Sequence, residues 1–283
     1  MHFQKKPAFV FVHGGWVSSS IWRQVMPLIE ARGHVARALD LPGSGIHAKA
    51  PLSYGTRPVD PRLFSTEPSP NAGVTQEART AAVVSLIEET ARETGGQVVL
   101  VGQSLGGLTV TPAVEAIPEA LHAVVYISAF LQSPGLSMLA LTQHETFKDA
   151  LVSSLFLADP QLVGACRIDF NSTDAGYRQR MKDTFCHDFS AADFVFPCAN
   201  CDEPLSVMLE TAHPTAERFG KVPRHYVRCL DDRSIPIRGQ DFMIATLDSA
   251  LGGKTDTHTL SSSHWPFFSQ PETLTEILLA TAT

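Results

Sequence analysis

The sequence predicts an α/β fold in which helices cover both faces of a mostly parallel central sheet and a mainly helical cap is inserted. Two observations carry this prediction. Short apolar runs alternate with longer helical segments up to about residue 130 and again after residue 218. Between them the alternation stops, and that stretch has helical patches but no convincing buried strand. The predicted core therefore comprises residues 1–130 and 219–283, and the predicted cap comprises residues 131–218.

The core strands are predicted from short runs of β-branched and aromatic residues that end at turn-forming residues. In chain order they cover residues 9–12, 35–39, 98–101, 123–128, 226–230 and 255–260. The first strand ends at His13-Gly14-Gly15, and the third runs directly into a serine flanked by glycines. Functional residues are therefore sought after the strands, because ligand chemistry gathers at the carboxyl ends of parallel strands.

The core helices are predicted from capping and stop signals, over residues 20–31, 75–94 and 105–116. Gly33 ends the first, Thr75 caps the second, and Pro112 is expected to kink the third or to shorten its start. Residues 48–75 hold five prolines and little apolar periodicity. We expect that stretch to be a long surface loop that could rim a pocket.

Composition narrows the function classes. The chain has 283 residues, 44% of them hydrophobic, which suits a globular domain with a sizeable core. A formal charge of −7 argues against nucleic acid or an anionic membrane as partner, because both require basic patches. The longest apolar runs fall short of a membrane span, and five irregularly spaced cysteines suit reduced thiols. We therefore expect a cytoplasmic protein.

The most informative stretch is Gly102-Gln103-Ser104-Leu105-Gly106, which matches the G-x-S-x-G pattern. In that pattern the serine lies on a sharp turn between a strand and a helix, where flanking side chains would collide with the backbone. The Ser104 hydroxyl is then exposed as a nucleophile, and the Leu105 N–H faces the group that it attacks. An ordinary strand-to-helix turn is the structural alternative.

A serine nucleophile needs a base, an acid that orients the base, and donors for an oxyanion. Of eleven histidines, His264 is the best placed base, because it follows the last predicted strand. His13 is more suited to shaping its own turn by hydrogen bonds. Asp231 and Asp232 both follow the strand at 226–230, and spacing alone does not choose between them. The glycines after His13 let a backbone N–H approach the substrate as an oxyanion donor.

With these parts the chain resembles the α/β-hydrolase superfamily, in the branch of plant methylesterases, hydroxynitrile lyases and bacterial carboxylesterases. The resembling segments are FVHGG at 11–15, LDLPGSG at 39–45, LVGQSLGG at 100–107, VPRHYVRCLDDRSIP at 222–236 and SHWPFFSQPE at 263–272. The chain order Ser, Asp, His also agrees with that superfamily. The resemblance implies an α/β-hydrolase fold, the catalytic residues Ser104, Asp232 and His264, and oxyanion donors on Gly15 and Leu105.

Departures from the branch refine the expected reaction. Gln103 stands where the branch often has histidine. Gly14 and Trp265 stand where hydroxynitrile lyases of this type have threonine and lysine, which favours ester hydrolysis over cyanohydrin cleavage. We therefore expect a carboxylesterase that acts without cofactor or metal on a small, largely apolar ester. Three alternative functions stay open: a lactone or carbon–carbon bond hydrolase, a lyase with the same triad, and a non-enzymatic ligand receptor. A small-molecule ester is the expected partner, and a homodimer is possible.

Two weaker signals complete the sequence reading. Trp16, Phe130 and Trp265 lie beside the predicted catalytic loops and could line an apolar substrate pocket, or belong to the core. Cys198 and Cys201 have the C-x-x-C spacing of many zinc sites. A zinc site is not favoured, because the sequence has no second C-x-x-C pair and no dependable fourth zinc ligand. We interpret these two as cap thiols without a special function.

Overall fold

The computed structural model describes residues 5–189 and 200–283, and a six-stranded parallel sheet lies at its centre. The strands of the described residues are, in chain order, β1 (Ala8–Val12), β2 (Ala36–Leu39), β3 (Val98–Gln103), β4 (Leu121–Ile127), β5 (Ala165–Arg167), β6 (Asp202–Pro204), β7 (Arg224–Cys229) and β8 (Asp256–Leu260). The central sheet has the order β2-β1-β3-β4-β7-β8, and all its neighbouring strands are parallel. The predicted fold class is confirmed.

The helices lie around this sheet and in the segment between β4 and β7. They are α1 (Val25–Ala31), α2 (Pro61–Thr66), α3 (Gln76–Thr94), α4 (Gly106–Ala116), α5 (Met138–Thr142), α6 (Pro160–Val163), α7 (Ala175–Phe185), α8 (Leu205–Leu209), α9 (Ile237–Leu251), α10 (Pro266–Ser269) and α11 (Pro271–Ala280). Short 3₁₀ turns cover Ser19–Arg23, Gly45–His47, Leu52–Gly55, Pro118–Ala120, Glu145–Phe147, Val152–Leu155 and Phe219–Lys221.

The central strands are covered on both faces. Every residue of β1 and of β3 is buried, so side chains that point to opposite faces of the sheet are equally shielded from water. This explains why these strands read as continuous apolar runs instead of alternating patterns. Helix α3 packs against α4 and β1, and α1 packs against α11.

The helix signals are mostly accurate. The Thr75 side chain accepts the N–H of Ala78, and Gly95 ends α3 in the left-handed conformation. Helix α4 continues through Pro112 to Ala116 and begins one residue after the predicted start. The prediction of one helix over residues 20–31 is wrong, since a 3₁₀ turn precedes α1. Pro27 lacks the N–H that a continuous helix would donate to residue 23, so it is tolerated only in the first turn of α1.

The stretch 48–75 is not wholly irregular. It contains the 3₁₀ turn at Leu52–Gly55 and helix α2, whose N-terminus is capped by the Asp60 carboxylate accepting the N–H groups of Arg62 and Leu63. Asp60 followed by Pro61 is a helix-start signal, because proline suits the first helical position. The absence of apolar periodicity concealed this short helix.

The segment between β4 and β7 contains a small antiparallel sheet, which contradicts the expectation that it lacks strands. Strands β5 and β6 pair over three residues each. Such short strands leave no recognisable period in the sequence. The boundaries of the cap at residues 131 and 218 stay a prediction. Within the described ranges, no helix has both the length and the apolar character needed to cross a membrane.

Candidate active site

Ser104 lies on a strained turn between β3 and α4. Its φ angle is +53°, a left-handed conformation that a residue with a side chain adopts at an energetic cost. The turn is tight because the first residue of α4, Gly106, packs against the backbone at the end of β1. A Cβ added to Gly106 would lie 2.7 Å from the carbonyl oxygen of His13, and one added to Gly102 would lie 2.6 Å from Val110 Cγ2. The two glycines therefore allow the close approach that the sequence predicted.

The three residues predicted as a triad come together at the carboxyl ends of β3, β7 and β8. His264 Nε2 lies 2.9 Å from Ser104 Oγ, and His264 Nδ1 lies 2.6 Å from Asp232 Oδ2. Ser104 keeps 8% of its surface exposed, whereas His264 is almost fully buried. The chain of contacts therefore runs from the buried Asp232 carboxylate to the serine hydroxyl on the turn after β3.

Geometry separates the two adjacent aspartates. Asp232 is buried, and its Oδ1 accepts the N–H groups of Ser234 at 2.6 Å and Ile235 at 2.9 Å. Its Oδ2 accepts the Ser128 hydroxyl in addition to facing His264. Asp231 is exposed at the surface of the same turn. Sequence reasoning missed Ser128, although its position directly after β4 at the same edge of the sheet was a usable signal.

The predicted oxyanion donors lie on the two turns that meet at Ser104. The N–H groups of Gly15 and Leu105 donate to no other group in the part of the chain that the structure describes. The two turns are in close contact, since a Cβ on Gly15 would lie 2.5 Å from Leu105 Cδ1. Neither N–H group is therefore engaged by another acceptor among the described residues, as the predicted role requires.

His13 holds the first of these turns in place. Its Nδ1 lies 2.7 Å from the Gly14 carbonyl oxygen, and its Nε2 accepts the N–H of Leu41 at 3.1 Å. Nδ1 therefore carries the ring proton. Burial lowers the pKa of His13 below its usual value, because a charged ring would lose its solvation. These contacts agree with the predicted part of His13 in shaping the turn.

Gln103, the last residue of β3, contacts His264. Its Nε2 donates to the His264 carbonyl oxygen at 3.2 Å and lies 3.2 Å from His264 Nε2. Its Oε1 is buried without a hydrogen-bond partner among the described residues. The amide thus links β3 to the loop that carries His264, a contact that the sequence indicated only as a change in polarity.

A cavity of about 940 Å³ opens beside the turns that carry Trp16 and Leu105. Its wall is mainly apolar, and Trp16, Leu105 and Phe130 contribute to it. Helices α5 and α8 supply Leu139 and Leu209 at its exposed rim. The described wall does not include Trp265, whose ring stacks on Phe185 with centroids 5.1 Å apart. Of the three aromatic residues predicted for a pocket, two therefore line this cavity.

Of the two cysteines with C-x-x-C spacing, only Cys201 lies within the described residues. Cys198 lies outside the described residues, whereas Cys201 is a buried free thiol. Burial raises the pKa of Cys201. A thiol held in this protonated form is a poor nucleophile.

The fold is that of the α/β hydrolases, and the sequence agrees. The chain belongs to the α/β hydrolase family, whose sequence model matches residues 9–277. Pyrethroid hydrolase from Sphingobium wenxiniae is 26% identical over 275 residues, which cover 95% of this chain and 85% of that protein. Methylesterase 1 from Arabidopsis thaliana is 27% identical over 294 residues, covering 99% and 97%.

Other relatives extend the same picture. The chain spans 55% of the length of two chloroplastic Arabidopsis thaliana proteins named after methylesterases. A crystal structure of a pyrethroid hydrolase superposes with a TM-score of 0.78 at 23% identity, covering 98% of this chain and 97% of the other. Polyneuridine aldehyde esterase gives a TM-score of 0.72 at 22% identity, covering 98% and 100%. These structural likenesses establish the fold, and the curated relatives are esterases and hydrolases.

Proposed function

We propose that this chain is a serine carboxylic ester hydrolase that acts through an acyl-enzyme and needs no cofactor. One observation carries the proposal: the continuous hydrogen-bonded chain Ser104–His264–Asp232 lies on a turn whose next residue, Leu105, lines an apolar cavity. The N–H groups of Gly15 and Leu105, which have no acceptor among the residues that the structure describes, provide further support. Esterase names among relatives at 24–27% identity support the reaction class.

In the proposed mechanism, the Ser104 hydroxyl donates its proton to His264 Nε2 as Oγ attacks the ester carbonyl carbon. The N–H groups of Gly15 and Leu105 stabilise the tetrahedral oxyanion. Asp232 accepts the Nδ1–H of His264, which keeps Nε2 unprotonated in the resting enzyme and stabilises the imidazolium afterwards. His264 then protonates the leaving alcohol. Water repeats the sequence on the acyl-enzyme and releases the acid.

The cavity supports an apolar substrate. Pockets of ~300–1,000 Å³ hold most of a drug-sized ligand, so a volume of about 940 Å³ has room for more than the small ester expected from the sequence. Aromatic and aliphatic side chains dominate its wall, and Phe130 and Phe147 stack there with centroids 6.2 Å apart. We propose a bulky apolar group on the acyl or the alcohol side of the ester.

The experiment compares the wild type with Ser104→Ala on p-nitrophenyl esters of increasing acyl length. A fluorophosphonate followed by mass spectrometry reports labelling of the serine. We expect Ser104→Ala to lower kcat about 10⁴- to 10⁶-fold and to abolish labelling. The matched control is Ser154→Ala, because Ser154 is an exposed serine of the predicted cap. This variant should keep the wild-type kcat and the labelling of Ser104.

Three outcomes would contradict the proposal. An unlabelled Ser104 with no turnover of any ester would favour a ligand receptor. Faster cleavage of a cyanohydrin than of p-nitrophenyl acetate would favour a lyase. Turnover of lactones or of activated carbon–carbon bonds in place of open-chain esters would favour the corresponding hydrolases.

The remaining expectations concern partners and location. We propose a small-molecule ester as the partner. That the chain could form a homodimer, and that it binds neither nucleic acid nor a membrane surface, stay predictions. A cytoplasmic location is proposed on the cysteines, since the four within the described ranges are free thiols. Thiols of this kind suit a reducing compartment.

A further inference from the structure

A buried carboxylate from the segment between β4 and β7 reaches the turn that carries Gly15. Glu203 on β6 is fully buried, and its Oε1 accepts the backbone N–H of Trp16 at 2.9 Å. Its Oε2 accepts a hydrogen bond from Arg79 Nη2 of helix α3 at 3.1 Å, and both side chains of this ion pair are shielded from water. Nothing in the proposed mechanism uses this pair.

Trp16 is held at both of its ends by the small antiparallel sheet. Besides the backbone contact with Glu203, the indole N–H donates to the carbonyl oxygen of Cys166 on β5 at 2.9 Å. The φ angle of Trp16 is +60°, a left-handed conformation that is strained for a residue with a side chain. Such a conformation persists only where neighbouring contacts determine it, and Glu203 and Cys166 supply those contacts.

The peptide group between Gly15 and Trp16 is therefore fixed by Glu203. Gly15 is closely packed, because a Cβ there would lie 2.5 Å from Leu105 Cδ1 and 3.3 Å from Glu203 Cγ. A shift of this turn would displace the Gly15 N–H relative to Ser104. Oxyanion donors are effective only when they lie about 3 Å from the developing charge.

We infer that Glu203, held by Arg79, is a positioning residue that aims the Gly15 N–H at the oxyanion. The inference rests on the proposed function. A hydrophobic pair of similar volume could fill this space at equal stability, so an ion pair is not needed for packing alone. Glutamate is suited to the task because its two oxygens face in two directions, one to Trp16 and one to Arg79.

Two variants test the inference. Glu203→Gln keeps the shape, but it presents an amide N–H₂ either to the Arg79 guanidinium or to the Trp16 N–H. Glu203→Asp keeps the charge for Arg79, but the carboxylate is one methylene too short to reach Trp16. For each we expect kcat on p-nitrophenyl butyrate to fall about 10- to 100-fold with KM within about threefold, part of the ~10²- to 10³-fold loss on removing one oxyanion donor.

The neighbouring residue on β6 provides the matched control. Asp202 forms an equally buried ion pair with Arg167 and does not contact the Gly15 turn. Asp202→Asn should lower Tm at least as much as Glu203→Asp and leave kcat within twofold of the wild type. All assays are run at least 20 °C below the lowest Tm, so that unfolding does not contribute.

A second readout separates aim from general disruption. Sulfur in a thionoester is a weaker acceptor than oxygen, so the ratio of oxoester to thionoester turnover reports on the oxyanion donors. This ratio should fall in Glu203→Asp and stay at the wild-type value in Asp202→Asn. Unchanged kcat in Glu203→Asp, or an equal loss of kcat in Asp202→Asn, would overturn the inference. A wild type without Ser104-dependent ester hydrolysis would instead refute the proposed function.

Discussion

Replacing Asp232 by asparagine should reverse the proton arrangement of His264. In the structure, Asp232 Oδ1 accepts two backbone N–H groups, from Ser234 and Ile235. An asparagine that directed its own N–H₂ at these donors would leave two buried N–H groups unpaired, at about 1–3 kcal/mol each. Its oxygen therefore takes the position of Oδ1, and its N–H₂ faces His264 Nδ1. The imidazole must then accept at Nδ1 and carry its proton on Nε2.

The expected cost follows from that proton. A protonated Nε2 cannot accept the Ser104 hydroxyl proton, so the variant retains the geometry but loses the base. The same exchange in a different serine hydrolase lowers kcat about 10⁴-fold, equivalent to about 5 kcal/mol of transition-state stabilisation. We expect a loss of this size for Asp232→Asn, with KM for p-nitrophenyl butyrate changed less than about fivefold.

The assay is steady-state hydrolysis of p-nitrophenyl butyrate at pH 7.5, with circular dichroism to confirm that the variant is folded. Asp231→Asn is the matched control, because it makes the same chemical change at the adjacent, exposed residue. It should keep kcat within about twofold. If Asp232→Asn retained more than a tenth of the wild-type kcat, or if Asp231→Asn lost as much, the assignment of the acid would be refuted.

Three further predictions concern packing, the cavity and pH. Gly107→Ala should lower the free energy of unfolding in urea by about 3 kcal/mol, because its Cβ would lie 2.1 Å from the backbone oxygen of Phe130, and an unchanged value would contradict this. Leu209→Glu at the cavity rim should raise KM for p-nitrophenyl octanoate more than for the acetate, whereas Leu52→Glu, exposed outside the cavity wall, should change neither. Burial lowers the pKa of His13, so the unfolded chain binds more protons and the free energy of unfolding should fall as the pH drops below 6.5. His13→Asn should flatten that decline in urea titrations between pH 7.5 and 5, and equal slopes would contradict the argument.

The parts of the site that the sequence revealed share one physical property. Ser104 and His264 lie in the turns that follow strands of a parallel sheet, and the carboxyl ends of such strands lie along one edge of the sheet whatever the intervening loops do. The central strands β1 and β3 were recognisable because burial on both faces demands continuous apolar runs. Local signals of this kind place residues at an edge of the sheet without any knowledge of the rest of the fold.

Choices between neighbours were harder to make from the residues alone. Asp231 and Asp232 follow the same strand, and only the course of the turn decides which carboxylate faces inward. The deciding contacts are the N–H groups of Ser234 and Ile235, which hold Asp232 Oδ1. Family resemblance selected Asp232 where spacing did not, and the geometry agrees with that selection.

The contacts between distant segments could not be read from the sequence at all. Glu203 is 187 positions from Trp16, and it lies on a three-residue strand that gives no periodic signal. The same small sheet buries Arg167, which pairs with Asp202 and donates to the carbonyl oxygens of Phe64 and Glu67. That contact fixes helix α2, in the stretch read from sequence as a loop.

These two ion pairs give adjacent residues of β6 different tasks. Asp202, through Arg167, ties the end of α2 to the small sheet. Glu203, through Trp16, ties the same sheet to the turn that carries a predicted oxyanion donor. A substrate that filled the cavity would contact Trp16 directly and therefore press on the residue whose backbone N–H Glu203 holds. The fit of the bound group and the aim of the Gly15 N–H should for this reason be coupled. Esters that fill the cavity poorly should consequently be the most sensitive to Glu203→Asp, since the bound group then contributes least to holding the turn.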